Sequence, residues 1–155
     1  MTTEMDLSGL LGEESQPIEF STGLIGLEEW HHYVLVAHPA GEPLRLLQAL
    51  DDSRVSLIVA PPKLLVPDYK ITLTKTDLQA LQMEPLVGSQ ELPASVEVYS
   101  IISAQEEPFR ATMNLLGPVV INWQTGQGRQ IILSDSDYSP RFPITAASAE
   151  EKERV

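Results

Sequence analysis

The chain of 155 residues contains no cysteine. That absence excludes disulfide frameworks, zinc ribbons, thiolate nucleophiles and iron–sulfur ligation together, and it suits a reducing compartment. Positive charge is the next scarcity. Ten Lys and Arg stand against 22 Asp and Glu, a formal net charge of −12, and no cation precedes Arg45. A field of that sign repels phosphate backbones, which argues against direct nucleic-acid binding, and it speeds encounter with a basic partner. No apolar run approaches the roughly 20 residues of a membrane span. The start MTTEMDLSGL lacks the basic segment and apolar stretch of a secretory signal. The expectation is a cytoplasmic chain without membrane contact, and an apolar fraction of 43% is ample for one core-forming domain.

Residues 1–16 read as a flexible acidic tail, 17–145 as one folded body, and 146–155 as a polar C-terminal tail. Leu7, Leu10 and Leu11 have helical spacing, but Gly9 and Gly12 weaken an isolated helix. The body reads as a series of short strands: Ile18–Phe20, Tyr33–Ala37, Leu44–Leu50, Val55–Ala60, Tyr69–Leu73, Val96–Ile102, Arg110–Leu116, Pro118–Trp123 and Arg129–Leu133. VSLIVA is apolar on both alternating faces, which fits a strand covered on both sides, and Pro61-Pro62 ends it. Thr74 or Thr76 is placed to cap a short helix through TDLQALQM that buries Leu78 and Leu81. The fold class expected is mainly β: a compact β-barrel-like or sandwich domain of short antiparallel strands with one or two short helices.

Chemistry-bearing constellations are few. Gly126-Gln127-Gly128 has no third glycine and is followed by a strand pattern, so it fails as a phosphate-cradling loop; a turn or bulge between VVINW and RQIIL accounts for it, either glycine being free to adopt positive φ. Asn114 and Asn122 are amides, unable to serve as general bases near neutral pH. His31 and His32 are adjacent and point to opposite faces of a strand, and no third ligand joins His38. Asp135 and Asp137 lack the glycine and glutamate of a calcium loop, and fit a turn after a strand. No pair among the acids is singled out for acid–base work, and no serine has a nucleophile-elbow context. No catalytic, cofactor-binding or metal-binding residue is expected. The alternative is a small β-barrel that binds a ligand, or a hydrolase built on carboxylates, and it requires a deep pocket that gathers acids. A third reading makes residues 1–16 the binding element, folding onto a partner groove.

Several stretches carry a resemblance. Ile18-Glu-Phe20-x-x-Gly23-Leu24-x-Gly26 comes first, then Pro43-Leu44 with Leu47-Gln48-Ala49-Leu50, then VSLIVA with Asp68-Tyr69. They are followed by Asn114-Leu115-x-Gly-Pro118-Val-Val-Ile-Asn122, Gly128-Arg-Gln130-Ile-Ile-Leu133, Tyr138 and Pro143-Ile144. In this order, over about residues 17 to 144, they resemble the flagellar assembly factor FliW family. Leu27, Ala49 and Pro61-Pro62 depart from the pattern, where an aromatic, a serine and an acid before proline are expected. The resemblance implies a non-enzymatic, chaperone-like protein without a cofactor. It implies two partners, flagellin and the CsrA dimer, a small RNA-binding protein whose repression of flagellin translation the family relieves. The charge balance fits a basic partner independently. Exposed partner-contact candidates are Trp30, Tyr69, Leu115, Pro118, Asn122, Tyr138 and Phe142. Trp123 alternates with Val119 and Ile121 and reads as core.

Overall fold

A computed structural model describes residues 16–84, 92–106 and 109–144. The two expected tails lie outside these residues, apart from Gln16. Among the described residues nine strands are formed: β1 (Ile18–Glu19), β2 (His32–Ala37), β3 (Arg45–Ala49), β4 (Ser56–Ala60), β5 (Val96–Glu106), β6 (Phe109–Met113), β7 (Val119–Asn122), β8 (Gln127–Gln130) and β9 (Phe142–Ile144). The helix α1 (Lys75–Ala80) lies between β4 and β5, after a 3-10 turn at Pro62–Leu64.

The strand order β4-β3-β2-β1-β8-β7-β5 closes on itself through a β4–β5 pairing, so seven strands form a barrel. β6 and β9 continue from β5 outside the ring. The expectation of an all-antiparallel set is corrected at one place, where β1 runs parallel to β8. A ring with an odd number of strands cannot alternate direction all the way round, so one parallel pair is unavoidable. It falls on the two-residue β1, where it spans the single register pair Glu19↔Gln127.

The long strand β5 explains the layering. Val96–Tyr99 pairs with β7, Ser100–Ile102 with β4, and Ile102–Glu106 with β6. Its alternating side chains, like those of β7, enter two separate cores. Tyr99, Val119 and Ile121 join Ile18, Phe20, Tyr33 and Leu47 inside the barrel. Val96, Val120 and Ile131 face outward, where Tyr69, Leu81, Met113 and Leu115 cover them. All four residues of β7 are therefore buried, which alternation with a solvated face would forbid. VSLIVA behaves in the expected way at its C-terminal end, with Val59 in the inner core and Ala60 in the outer one.

Helix α1 begins where a threonine was expected to cap it. The Thr74 hydroxyl accepts from Asp77 N–H at 3.1 Å, and the Asp77 carboxylate accepts from Thr74 N–H at 2.9 Å, a complete capping box. The helix stops at Ala80 because Gln82 takes a left-handed φ of 56°. Gln82 and Met83 N–H then return to the carbonyls of Gln79 and Leu78. Leu81 is fully buried, Leu78 only half, and the inward residue the spacing missed is Asp77.

Several strand bounds differ from expectation: β5 runs on past Ile102 to Glu106, β6 stops at Met113 rather than Leu116, and three further differences have clear causes. Tyr69–Leu73 forms no strand, because Lys70 N–H donates to the Tyr138 hydroxyl and Tyr69 N–H to Val66 rather than to a ladder. Its alternation is nonetheless real: Tyr69, Ile71 and Leu73 enter the outer core. The strand expected over Arg129–Leu133 ends at Gln130, after which Ile131 and Leu133 N–H bond the Pro118 and Leu116 carbonyls. β9 falls beyond the last expected strand, and it covers the edge of β6. Among the described residues no helix is long and apolar enough to cross a membrane.

Candidate functional site

The expected contact residues sort by burial, and the expectation of exposure fails for four of them. Tyr69 is 3% exposed, Leu115 1% and Asn122 3%, and Pro118 is buried as well. Each has an internal task. The Tyr69 hydroxyl donates to the Leu115 carbonyl at 2.6 Å, and its ring leans on Tyr138 with centroids 4.5 Å apart. Burial, with the Tyr138 phenol beside it, raises the Tyr69 pKa well above the usual range. The Asn122 amide donates to the Leu81 carbonyl at 2.8 Å and accepts from Gln124 N–H at 3.1 Å, fastening the end of α1 to the β7–β8 turn. The Pro118 carbonyl accepts from Ile131 N–H. Trp30, Tyr138 and Phe142 remain half-buried, Trp30 against the inner core and the other two against the outer. The structure thus brings Tyr69, Leu115, Tyr138 and Phe142 into one cluster, ties Asn122 to it through the Leu81 carbonyl, and places Trp30 against the other core.

Trp123 packs on the inner core, as its period predicts, yet its indole reaches the rim of the barrel and donates to Glu97 Oε1 at 2.7 Å. The Tyr99 hydroxyl donates to the same oxygen at 2.8 Å. Burial first, then that bond to Glu97, raises the Tyr99 pKa. Gln16, the first described residue, donates to the Trp123 carbonyl at 3.2 Å.

Below the rim, Arg129 and Asp77 form a half-buried ion pair at 2.7 Å that holds α1 to β8. Burial opposes the Asp77 charge, but bonds from Thr74 N–H and Arg129 outweigh it and keep its pKa below the usual carboxylate value. His31 Nδ1 lies 2.9 Å from the Phe20 carbonyl, a structural contact. Asp135 and Asp137 sit in the turn that Ser136 closes onto the Leu133 carbonyl at 2.7 Å.

The two glycines of Gly126-Gln127-Gly128 have separate reasons. Gly126 takes a φ of 75° in the turn, as expected. Gly128 does not use positive φ; it sits in β8, where an added Cβ would lie 2.6 Å from the Phe20 ring. That corrects the single explanation given to both: Gly128 is small so that Phe20 can fill the barrel.

Among the described residues the most exposed large apolar side chains are Ile25 at 62% and Ile132 at 50%, neither of them an expected contact. Both border one amide. Gln130 Oε1 accepts from Ile25 N–H at 2.9 Å, and Gln130 Nε2 donates to the Gly117 carbonyl at 2.9 Å. An added Cβ on Gly117 would come within 3.4 Å of Ile132 Cδ1. Ile25 stands at the tip of a turn closed by Leu27 N–H to the Leu24 carbonyl, with Gly26 at φ 85°. The Gly117 side is fixed by Asn114 Oδ1, which accepts from Leu116 and Gly117 N–H. Three stretches that carry the resemblance, Gly23–Gly26, Asn114–Pro118 and Gly128–Leu133, thereby meet in a rigid saddle. Its exposed isoleucines were hidden at the sequence level because each is one apolar residue within an apolar run.

The class of protein is a small closed β-barrel whose interior is filled by side chains and whose accessible features lie on its rims and outer turns. Comparison with known proteins gives the family. The family model described as FliW protein matches residues 4–144. A flagellar assembly factor FliW from Clostridium beijerinckii is 33% identical over 132 residues, 85% of this chain and 89% of that protein. Another from Bacillus licheniformis is 34% identical, with 85% and 87% covered, and one from Syntrophomonas wolfei is 30% identical over 95% and 92%. A crystal structure of the flagellar assembly factor FliW superposes with a TM-score of 0.68 at 26% identity, covering 84% of this chain and 86% of that one. The chain belongs to the FliW family of flagellar assembly factors.

Proposed function

We infer that this chain is a cytoplasmic, non-enzymatic assembly factor that binds flagellin and, when released from it, binds CsrA and relieves repression of flagellin translation. The observation that carries the reading is the family match over residues 4–144, with relatives named flagellar assembly factor across most of their length. The charge balance supports it. A net charge of −12 favours encounter with a basic RNA-binding protein and disfavours the transcript itself. The packed interior weighs against the alternative of a ligand-binding barrel or carboxylate hydrolase. Ile18, Phe20, Tyr33 and Leu47 occupy the volume such a pocket would need, and Asp77, the buried carboxylate among the described residues, is committed to Arg129.

The test is to mix the purified chain with the cognate CsrA dimer and, separately, with cognate flagellin, and to read complex mass by light scattering after size exclusion. A heavier species is expected with each, and the CsrA complex should weaken as salt is raised from 50 to about 300 mM. No complex with either protein at low salt would overturn the reading.

A further inference from the structure

We propose that the saddle between Ile25 and Ile132 is a docking surface for a partner segment that combines apolar side chains with Lys or Arg. The proposal rests on the reading above that the chain works by binding proteins, and it names the surface and the chemistry of its occupant.

Three features converge there. The first is apolar exposure held in place. An isoleucine 62% exposed at the tip of a hydrogen-bonded turn, beside another 50% exposed, leaves apolar area in water with no gain to the fold. The second is rigidity. The Gln130 amide spans the Ile25 and Gly117 backbones, so the two sides of the saddle are fixed before a partner arrives and little ordering cost remains at binding. The third is the sign of the surrounding charge. The segments that build the saddle, residues 23–30, 114–118 and 128–137, contain Glu28, Glu29, Asp135 and Asp137, and their one cation, Arg129, is paired with Asp77 at 2.7 Å. All four acids are exposed. Glu28 also accepts from Gly26 N–H at 3.1 Å, which places its carboxylate beside the Ile25 turn. An apolar centre with acidic flanks is complementary to a basic amphipathic segment. A second copy of this chain would bring acid against acid at the same surface, so self-association is disfavoured there.

The experiment compares the full chain with two variants, using the cognate CsrA dimer as the basic probe and cognate flagellin as the second probe. Ile25→Ser with Ile132→Ser removes the apolar centre at exposed positions, and circular dichroism with thermal melting checks the fold. Burial of two half-exposed isoleucines corresponds to a roughly thirty- to hundredfold weakening of the dissociation constant for CsrA. Glu29→Gln with Asp135→Asn and Asp137→Asn should weaken CsrA binding at 50 mM salt and flatten its salt dependence. If the isoleucine variant binds CsrA like the unchanged chain, the saddle is not the docking surface, while the functional reading stands. Loss of flagellin binding with CsrA binding intact would overturn the assignment of a basic occupant. Failure of the unchanged chain to bind either protein would overturn the proposal and the functional reading together.

Discussion

Replacing Asn122 separates an internal clamp from a contact residue, because the two roles move different observables. Asn122 is 3% exposed, and its amide closes two bonds: one to the Leu81 carbonyl at 2.8 Å, one from Gln124 N–H at 3.1 Å. Asn122→Ala removes both. The Leu81 carbonyl keeps the Thr125 hydroxyl at 3.1 Å, so it is not orphaned, whereas Gln124 N–H loses the acceptor described for it. Loss of the buried bond to Leu81 and of the bond that shapes the turn at Gln124 gives a cost of about 2 kcal/mol, or roughly 6–8 °C in Tm for a chain of this size. Urea denaturation should show a lower midpoint with an unchanged slope. Asn122→Asp sharpens the test, since it puts a carboxyl against the Leu81 carbonyl. Its folded pKa would lie above the unfolded value, so the extra penalty is small below about pH 4 and grows as pH rises. Affinity for CsrA and flagellin, measured where the variants are fully folded, should stay within about twofold, since the side chain is internal. Unchanged stability with lost binding would refute the clamp and restore Asn122 as a contact.

Two further outcomes follow from the packing. Gly128→Ala places a methyl 2.6 Å from the Phe20 ring and should cost about 1–3 kcal/mol; Phe20→Leu in the same chain should recover part of that, and strict additivity in urea melts would refute the overlap. Asp77→Ala removes half of the capping box and the Arg129 partner, at about 2–3 kcal/mol near neutral pH. Because the folded Asp77 pKa is depressed, this contribution is complete above the unfolded value near pH ~4 and is lost as pH falls through the folded value. The stability gap between the unchanged chain and Asp77→Ala should therefore narrow on acidification below about pH 4, and a gap that widens would contradict it.

Much of the sheet was legible because its residues obey local rules. β2, β3 and β4 lie within a residue or two of the alternating runs, and the Thr74 cap is where a threonine precedes helical spacing. The misses share a cause. Tyr69–Leu73 alternates like a strand, but alternation reports which side chains are buried, not whether a neighbouring strand exists to bond the backbone. β9 is three residues long, with Pro143 in the middle, too short and too interrupted to declare itself; β6 makes it a strand. Gly128 looks like a turn glycine by its position next to Gly126, and only the Phe20 ring across the barrel reveals its packing role. The expected exposure of four candidate contacts failed in the same way. Aromatics and asparagines near prolines were expected at the surface, but Tyr69, Leu115 and Asn122 each satisfy a bond to a residue more than 20 positions away in sequence, which no local pattern encodes. Ile25 and Ile132 are illegible in the sequence for the converse reason. Exposure of an apolar residue is a property of the tertiary arrangement alone.

The distribution of charge separates what holds the fold from what acts beyond it. The ion pairs found among the described residues are Arg45–Glu42, Arg54–Asp52 and Arg129–Asp77, and only the last is half-buried. The cores are otherwise joined by neutral bonds, such as Tyr69 to Leu115 and Asn122 to Leu81. Among the described side chains Asp77 is the one buried acid, and the others lie at or near the surface, where they repel one another through water. Added salt screens that repulsion, so it leaves the fold unchanged or slightly firmer, while it screens the attraction to a basic partner and weakens the complex. The two responses have opposite signs. A complex that dissociates with salt while the melting temperature holds or rises reports electrostatic association; if both fall together, the half-buried Arg129–Asp77 pair would have to carry more of the fold than its position between one short helix and one strand allows.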